Sequence, residues 1–286
     1  MKFKYVPSFL LLAFFMISCN SCVEVQEFQY NFERYKSTYV KPEQAEKALV
    51  QYITDRTVRV VVVCKIINNQ TYEIVKDSYD AGWGTGTIIA SSKNYSFIQT
   101  ANHVAVNKPE IDKELTRTCD GFAIEQRDVD NKVISMFRGK VEVVAASSSS
   151  DIAVLKVYKD YKVTSRLARD TYLGQSIRIV GFPFLRGVIG NHLSYEKGHI
   201  STRNMGTKGE WMKHEVRWGS AGFFGNSGGA VWNQQGEIVG TVVSLMAFRT
   251  LLGEVIPQQN CLYGPGTIAL RAFYKSHKEL DFILGI

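Results

Sequence analysis

The sequence predicts an all-β fold, built as a sandwich or barrel or as two such units packed together. Three observations carry this. Short runs of β-branched and aromatic residues recur from Val58 onward, and clusters of Gly, Asn, Asp and Ser separate them. Helical periodicity is confined to one short segment before these runs and one after them. At 286 residues and 45% hydrophobic content, the chain has apolar surface enough for one large or two small domains.

The chain opens "MKFKYVPSFLLLAFFMISCNSC": two lysines, an apolar run from Phe9 to Ile17, then small and polar residues. That order is the pattern of an export segment, expected over 1–22. The run is too short for a membrane span, which needs about 20 apolar residues. Met16 to Cys19 resembles the lipobox of bacterial lipoproteins, which implies acylation of Cys19 and attachment to a membrane surface without crossing it. The expected location is therefore exported, periplasmic or anchored in a bacterial envelope. Residues 23–41 mix polar and aromatic side chains without a period and read as a tether.

From Pro42, "PEQAEKALVQYITDRT" sets Ala45, Leu49, Tyr52 and Ile53 on one face of a short amphipathic helix. A first set of strands follows: "VRVVVVCKII", "TGTIIAS", "YSFIQTA", "VISMFRG", "KVEVVAA" and "DIAVLKVY". The polar stretch from Lys159 to Asp170 is the expected seam, giving domains of 42–160 and 161–286. Beyond it come "SIRIVGF", "KGHISTR", "HEVRW", "GGAVW" and "EIVGTVVSL", and "IALRAFYKSHKELDFIL" reads as a closing helix.

The formal charge is +7, and Lys2 and Lys4 of the export segment contribute to it. The remaining excess is mild and scattered, with no basic run or basic helix face, so nucleic acid is not an expected partner. No metal-ligand spacing of Cys and His occurs within the body, and no cofactor is expected. Export would permit a disulfide, with Cys64 and Cys119 as one pairing. The better reading of the sequence has Cys64, inside "VRVVVVCKII", packing as a small buried hydrophobe.

"GNSGGAVW" places one hydroxyl, Ser227, among glycines before an apolar strand. Such clusters are usually turns. A nucleophilic serine also needs a base, a group to orient the base, and N–H donors for an oxyanion. Of the five histidines, His103 stands out at the end of "YSFIQTANHV", where a strand meets its loop. Asp151, between "AASSSS" and "IAVLKVY", is the carboxylate best placed to be buried, although a strand-start cap accounts for it equally well when it is taken alone.

Together, "TANHV", "SDIAVLKV" and "GNSGGAV" resemble the histidine, aspartate and serine motifs of chymotrypsin-like proteases, in that family's chain order. "GWGTGTIIA", "GQSIRIVGFPF", "KGHISTR" and "GEIVGTVVS" resemble the HtrA/DegP-type bacterial subgroup, so the resemblance extends over about residues 43 to 275. It implies two antiparallel six-stranded β-barrels and a serine endopeptidase acting on exported or misfolded polypeptides. His103, Asp151 and Ser227 would be its triad, and the backbone of Gly225, Asn226 and Ser227 its oxyanion hole. The S1 floor would lie near Ala221 and Gly222, with Val243, Ser244 and Leu245 as one wall; none is charged, so small or medium apolar P1 residues are expected. The chain ends too soon for the PDZ domain that HtrA proteins carry after the protease. An oligomer is compatible with the resemblance, but the regulated assembly of PDZ-bearing members is not carried over. The alternative is a catalytically silent barrel pair that binds peptides or serves as a scaffold.

Overall fold

Val58, Val60, Val62 and Cys64 alternate along one strand, and all four side chains enter the same apolar cluster. The period of two dictates this, because successive side chains of a strand point to opposite faces. In the computed structural model, which describes residues 42–106, 110–111, 114–183, 192–203, 215–220, 224–249 and 255–285, that strand belongs to the first of two β-sheets. The expected export segment, the tether, Cys19, Ala221 and Gly222 lie outside the described residues.

Helix α1 (Pro42–Thr54) leads into the first sheet. Its strands are β1 (Thr57–Asn68), β2 (Ile74–Ser91), β3 (Ser96–Ala101), β4 (Glu110–Ile111), β5 (Leu115–Arg127), β6 (Val133–Phe137), β7 (Val141–Ser147) and β8 (Ile152–Val157). They run in the spatial order β4-β5-β1-β2-β3-β8-β7, with β6 also paired to β5. A one-turn helix, α2 (Asn102–Ala105), follows β3.

The second sheet holds β9 (Arg166–Leu167), β10 (Ser176–Gly181), β11 (Ser194–Arg203), β12 (Val216–Gly219), β13 (Ala230–Trp232), β14 (Glu237–Thr241), β15 (Ser244–Arg249) and β16 (Val255–Gly264), in the order β15-β16-β12-β11-β10-β13-β14-β9. Helix α3 (Thr267–Ser276) and a 3₁₀ helix (Lys278–Gly285) complete the described chain.

The all-β class and the two-sheet plan are those expected, but the details differ. Among the described residues each sheet has eight strands rather than six and forms an open ladder rather than a closed barrel, and β9 pairs with β14 in parallel. Strand β5 escapes the sequence pattern because Glu125, directly opposite Arg59 of β1, forms a buried ion pair with it (3.5 Å), which puts charge inside a strand. The segment "EIVGTVVSL" is two strands, split at Val242 and Val243. The closing helix is broken at His277, where φ −119° and ψ 94° leave the helical region.

Each sheet has its own apolar cluster, and a third, shared cluster lies between them. In it Ile89, Phe97 and Val154 of the first sheet meet Val180, Trp232 and Ile238 of the second, with Ile53 of α1 and Leu270 and Phe273 of α3. Each large side chain buried there contributes about 1.5–3 kcal/mol. A polar chain crosses the same region: the Tyr274 hydroxyl donates to Gln99 Oε1, and Gln99 Nε2 donates to Thr241 Oγ1 at 2.5 Å. All three residues are buried, so a closing helix, a first-sheet strand and a second-sheet strand share one hydrogen-bonded line.

Candidate active site

Strands β3 and β8 are antiparallel with Ala101 opposite Ile152, so the residue that precedes β8 meets those that follow β3. Asp151 is therefore brought to Asn102 and His103. Its carbonyl accepts the Asn102 N–H at 3.0 Å. Its carboxylate accepts two hydrogen bonds from His103, the backbone N–H to Oδ1 at 2.9 Å and ring Nδ1 to Oδ2 at 2.8 Å. Asp151 is 3% exposed and has φ 54°, the left-handed region that a non-glycine residue seldom occupies. A carboxylate only accepts, so Nδ1 carries the ring proton of neutral His103 and Nε2 keeps a free lone pair.

His103 lies in α2 rather than at a strand end, because β3 stops at Ala101. Val104 and Ala105 are buried beneath this single turn and hold it down, while the His103 side chain remains about half exposed.

Ser227 lies between β12 and β13. Gly225 (φ 96°) and Gly228 (φ 90°) bend the chain on either side of it, and the Gly229 N–H closes a turn onto Asn226 O at 2.9 Å. At Gly228 only glycine fits: a Cβ there would lie 2.2 Å from Thr85 O and 2.3 Å from Thr100 Oγ1.

His103, Gly225 and Ser227 line one cavity of about 220 Å³. Its other walls include Trp83, Phe224 and the Cys64–Cys119 disulfide. Trp83 is held by a bond from Nε1 to Phe182 O (3.3 Å), and the Arg59 guanidinium sits over its ring, 4.6 Å from the centroid. Phe224, 52% exposed, stands at the rim. The Ser227 hydroxyl makes no hydrogen bond to His103 in this conformation; such contacts often tighten only when substrate binds.

A model of the trypsin-like peptidase domain matches residues 84–240, more than half of the chain. The chain belongs to the trypsin-like peptidase family. No curated protein matches it. Among solved structures, the HtrA-type protease AlgW with a tripeptide is 18% identical at a TM-score of 0.55, over 83% of this chain and 63% of AlgW. AlgW with a decapeptide gives 18% and 0.56, over 81% and 66%. Rv3671c from M. tuberculosis H37Rv, a serine-to-alanine mutant in its inactive form, gives 14% and 0.51, over 85% and 96%. The chain thus spans about two thirds of the AlgW chains and has the fold of HtrA-type protease domains.

In this trypsin-like domain the residues expected to form S1 are only partly in view. Val243 is buried and packs with the first-sheet cluster, Leu245 packs against the second-sheet cluster, and Ser244 Oγ is buried without a hydrogen-bond partner. None of the three lines the cavity with Ser227. Sequence reasoning missed the lining residues Val62, Trp83 and Phe224. The alternation of "VRVVVVC" already carried Val62 to the same side as Cys64. Cys64 proves to be both buried and disulfide-bonded, opposite Cys119 in the β1–β5 register. Among the described residues, no group of three or more His, Cys, Asp or Glu side chains is placed to hold a metal ion, and no helix is long and apolar enough to cross a membrane.

Proposed function

We propose that the protein is a serine endopeptidase that hydrolyses peptide bonds of exported or misfolded polypeptides. The observation that carries this reading is the pair of hydrogen bonds from His103 to Asp151, at a cavity that Ser227 also lines.

In this mechanism Ser227 Oγ attacks the scissile carbonyl while its proton passes to His103 Nε2. Asp151 holds the ring and stabilises the imidazolium. Backbone N–H groups of Gly225 and Ser227, in the turn that also contains Asn226, receive the negative oxygen of the tetrahedral intermediate. The C–N bond breaks as Nε2 protonates the leaving amine, and the acyl group remains on Ser227 as an ester. Water, giving a proton to Nε2, then attacks the ester; the C–O bond breaks and Ser227 recovers its hydroxyl hydrogen.

Among the described residues, no Asp, Glu, Lys or Arg lines the cavity, which supports a preference for apolar side chains next to the scissile bond. The N-terminal pattern supports export and retention at a membrane surface through Cys19.

The test is digestion of unfolded casein at pH 8 by the purified protein and by Ser227→Ala, with a serine-directed fluorophosphonate probe in parallel. Cleavage and labelling in the parent alone establish the reading. Neither in a well-folded parent would leave a peptide-binding module as the better account.

A further inference from the structure

Thr85 of β2 belongs to the first sheet and is fully buried, yet its bonds reach the serine loop of the second half. Its backbone N–H donates to Ser227 O at 2.8 Å. Its hydroxyl donates to Gly225 O at 2.7 Å and accepts the Phe182 N–H at 3.0 Å. Its carbonyl accepts the Thr100 hydroxyl at 2.8 Å. The Phe182 N–H occupies a lone pair of Oγ1, which leaves the hydroxyl proton to point at Gly225.

We propose that Thr85 is a positioning residue that sets the oxyanion-binding backbone of Gly225 to Ser227. The proposal rests on the peptidase reading above. Gly225 has φ 96° and no side chain, so its own sterics do not choose the rotation of its peptide planes. Thr85 takes hold of the carbonyls on both sides of Asn226, at Gly225 and at Ser227, and draws them to the buried side. These two carbonyls share peptide planes with the Asn226 and Gly228 N–H groups, and the Gly228 N–H is itself bonded to Val242 O at 2.7 Å. The plane between them, which carries the Ser227 N–H, is held by the Gly229 N–H on Asn226 O at 2.9 Å, so fixing the planes beside Asn226 limits the rotations open to the Gly225 and Ser227 N–H groups. Preorganised donors of this kind act because they need no reorientation as negative charge develops.

The surroundings accommodate this hydroxyl. A Cβ at Gly181 would lie 2.8 Å from Thr85 Oγ1, and one at Gly229 would lie 3.1 Å from the Thr85 methyl carbon. Replacing the hydroxyl with a methyl group would keep the volume but leave the Gly225 carbonyl and the Phe182 N–H unpaired.

The experiment compares Thr85→Val and Thr85→Ser with the parent in steady-state cleavage of a fluorogenic peptide, with melting curves for each. Thr85→Val is expected to lower kcat about tenfold to hundredfold, less than the roughly 10²–10³ of losing an oxyanion donor outright. KM should stay within about twofold because the contact is made for the transition state. Thr85→Ser should restore most of kcat. Should Thr85→Val fail to fold, Thr85→Cys carries the same comparison, because its thiol is a weak donor. An active parent, with a folded Val or Cys variant keeping half or more of parental kcat, would overturn the role of Thr85 alone. A parent without turnover would overturn the peptidase reading and this role with it.

Discussion

The Asp151 carboxylate receives two hydrogen bonds from His103, from the backbone N–H at 2.9 Å and from ring Nδ1 at 2.8 Å. One bond fixes where the histidine sits and the other fixes which ring nitrogen carries the proton. Asp151→Asn keeps the shape but can present an N–H to Nδ1, which favours the wrong tautomer. A fall in kcat of about 10⁴ is expected, with little change in melting temperature. Loss of activity in parallel with loss of folded protein would point instead to a structural role.

Gly228→Ala should be among the most damaging small substitutions. Its Cβ would collide with backbone and side-chain atoms of Thr85 and Thr100 while forcing alanine to φ 90°. Losses above about 4 kcal/mol arise from such combined effects. Soluble yield and melting temperature should both collapse. A variant that melts like the parent would mean that β2 and β3 give way easily.

Glu46 of α1 accepts Arg178 through Nε at 2.9 Å and Nη2 at 3.1 Å, with Lys197 at 3.2 Å and the Tyr195 hydroxyl alongside. The Arg178 hydrogen bonds, aided by Tyr195 and Lys197 against the opposing effect of burial, lower its pKa from 4.5 to about 2. The folded state thus holds the carboxylate more strongly than the unfolded state does. That stabilisation is complete above about pH 4.5 and is lost as the pH falls toward 2. Glu46→Gln should melt several degrees below the parent at pH 7, and the gap should close across pH 4.5 to 2. A gap independent of pH would show that the charge contributes nothing.

The Cys64–Cys119 bond closes a loop with a sequence separation of 55. Removing it should cost about 4 kcal/mol on the chain-entropy account, measurable by guanidinium unfolding of the Cys64→Ala, Cys119→Ala double variant. Because both cysteines line the cavity, peptide cleavage should also change, first in KM. Unchanged cleavage kinetics in the folded variant would separate this wall from substrate binding.

The parts of this molecule that were legible beforehand follow local rules. The run from Val58 to Cys64 alternates by the geometry of a strand, and the glycines around Ser227 signal a turn wherever they stand. What stayed hidden depends on partners distant in sequence. Glu125 is tolerated within a strand because Arg59 lies across from it and Arg127 pairs with it from the same strand, and Pro257 with two glutamines masks β16. The sequence leaves Asp151 open between a cap and an orienting group, and only the Ala101–Ile152 register shows that it lies against His103. Trp83 and Phe224 become cavity walls only through the packing of the two halves.

The line from Tyr274 through Gln99 to Thr241 bears on a hazard that any protein-cutting enzyme faces, digestion by its own copies. A cleft admits only extended, detached backbone, so susceptible sites are those that fray. Here helix α3 cannot lift without stranding the amide of Gln99, and that amide also bridges to Thr241 of the second sheet. Partial opening there costs about 1–3 kcal/mol for each buried polar group left unpaired. On the peptidase reading proposed above, any self-cleavage should therefore fall outside the clasped segments.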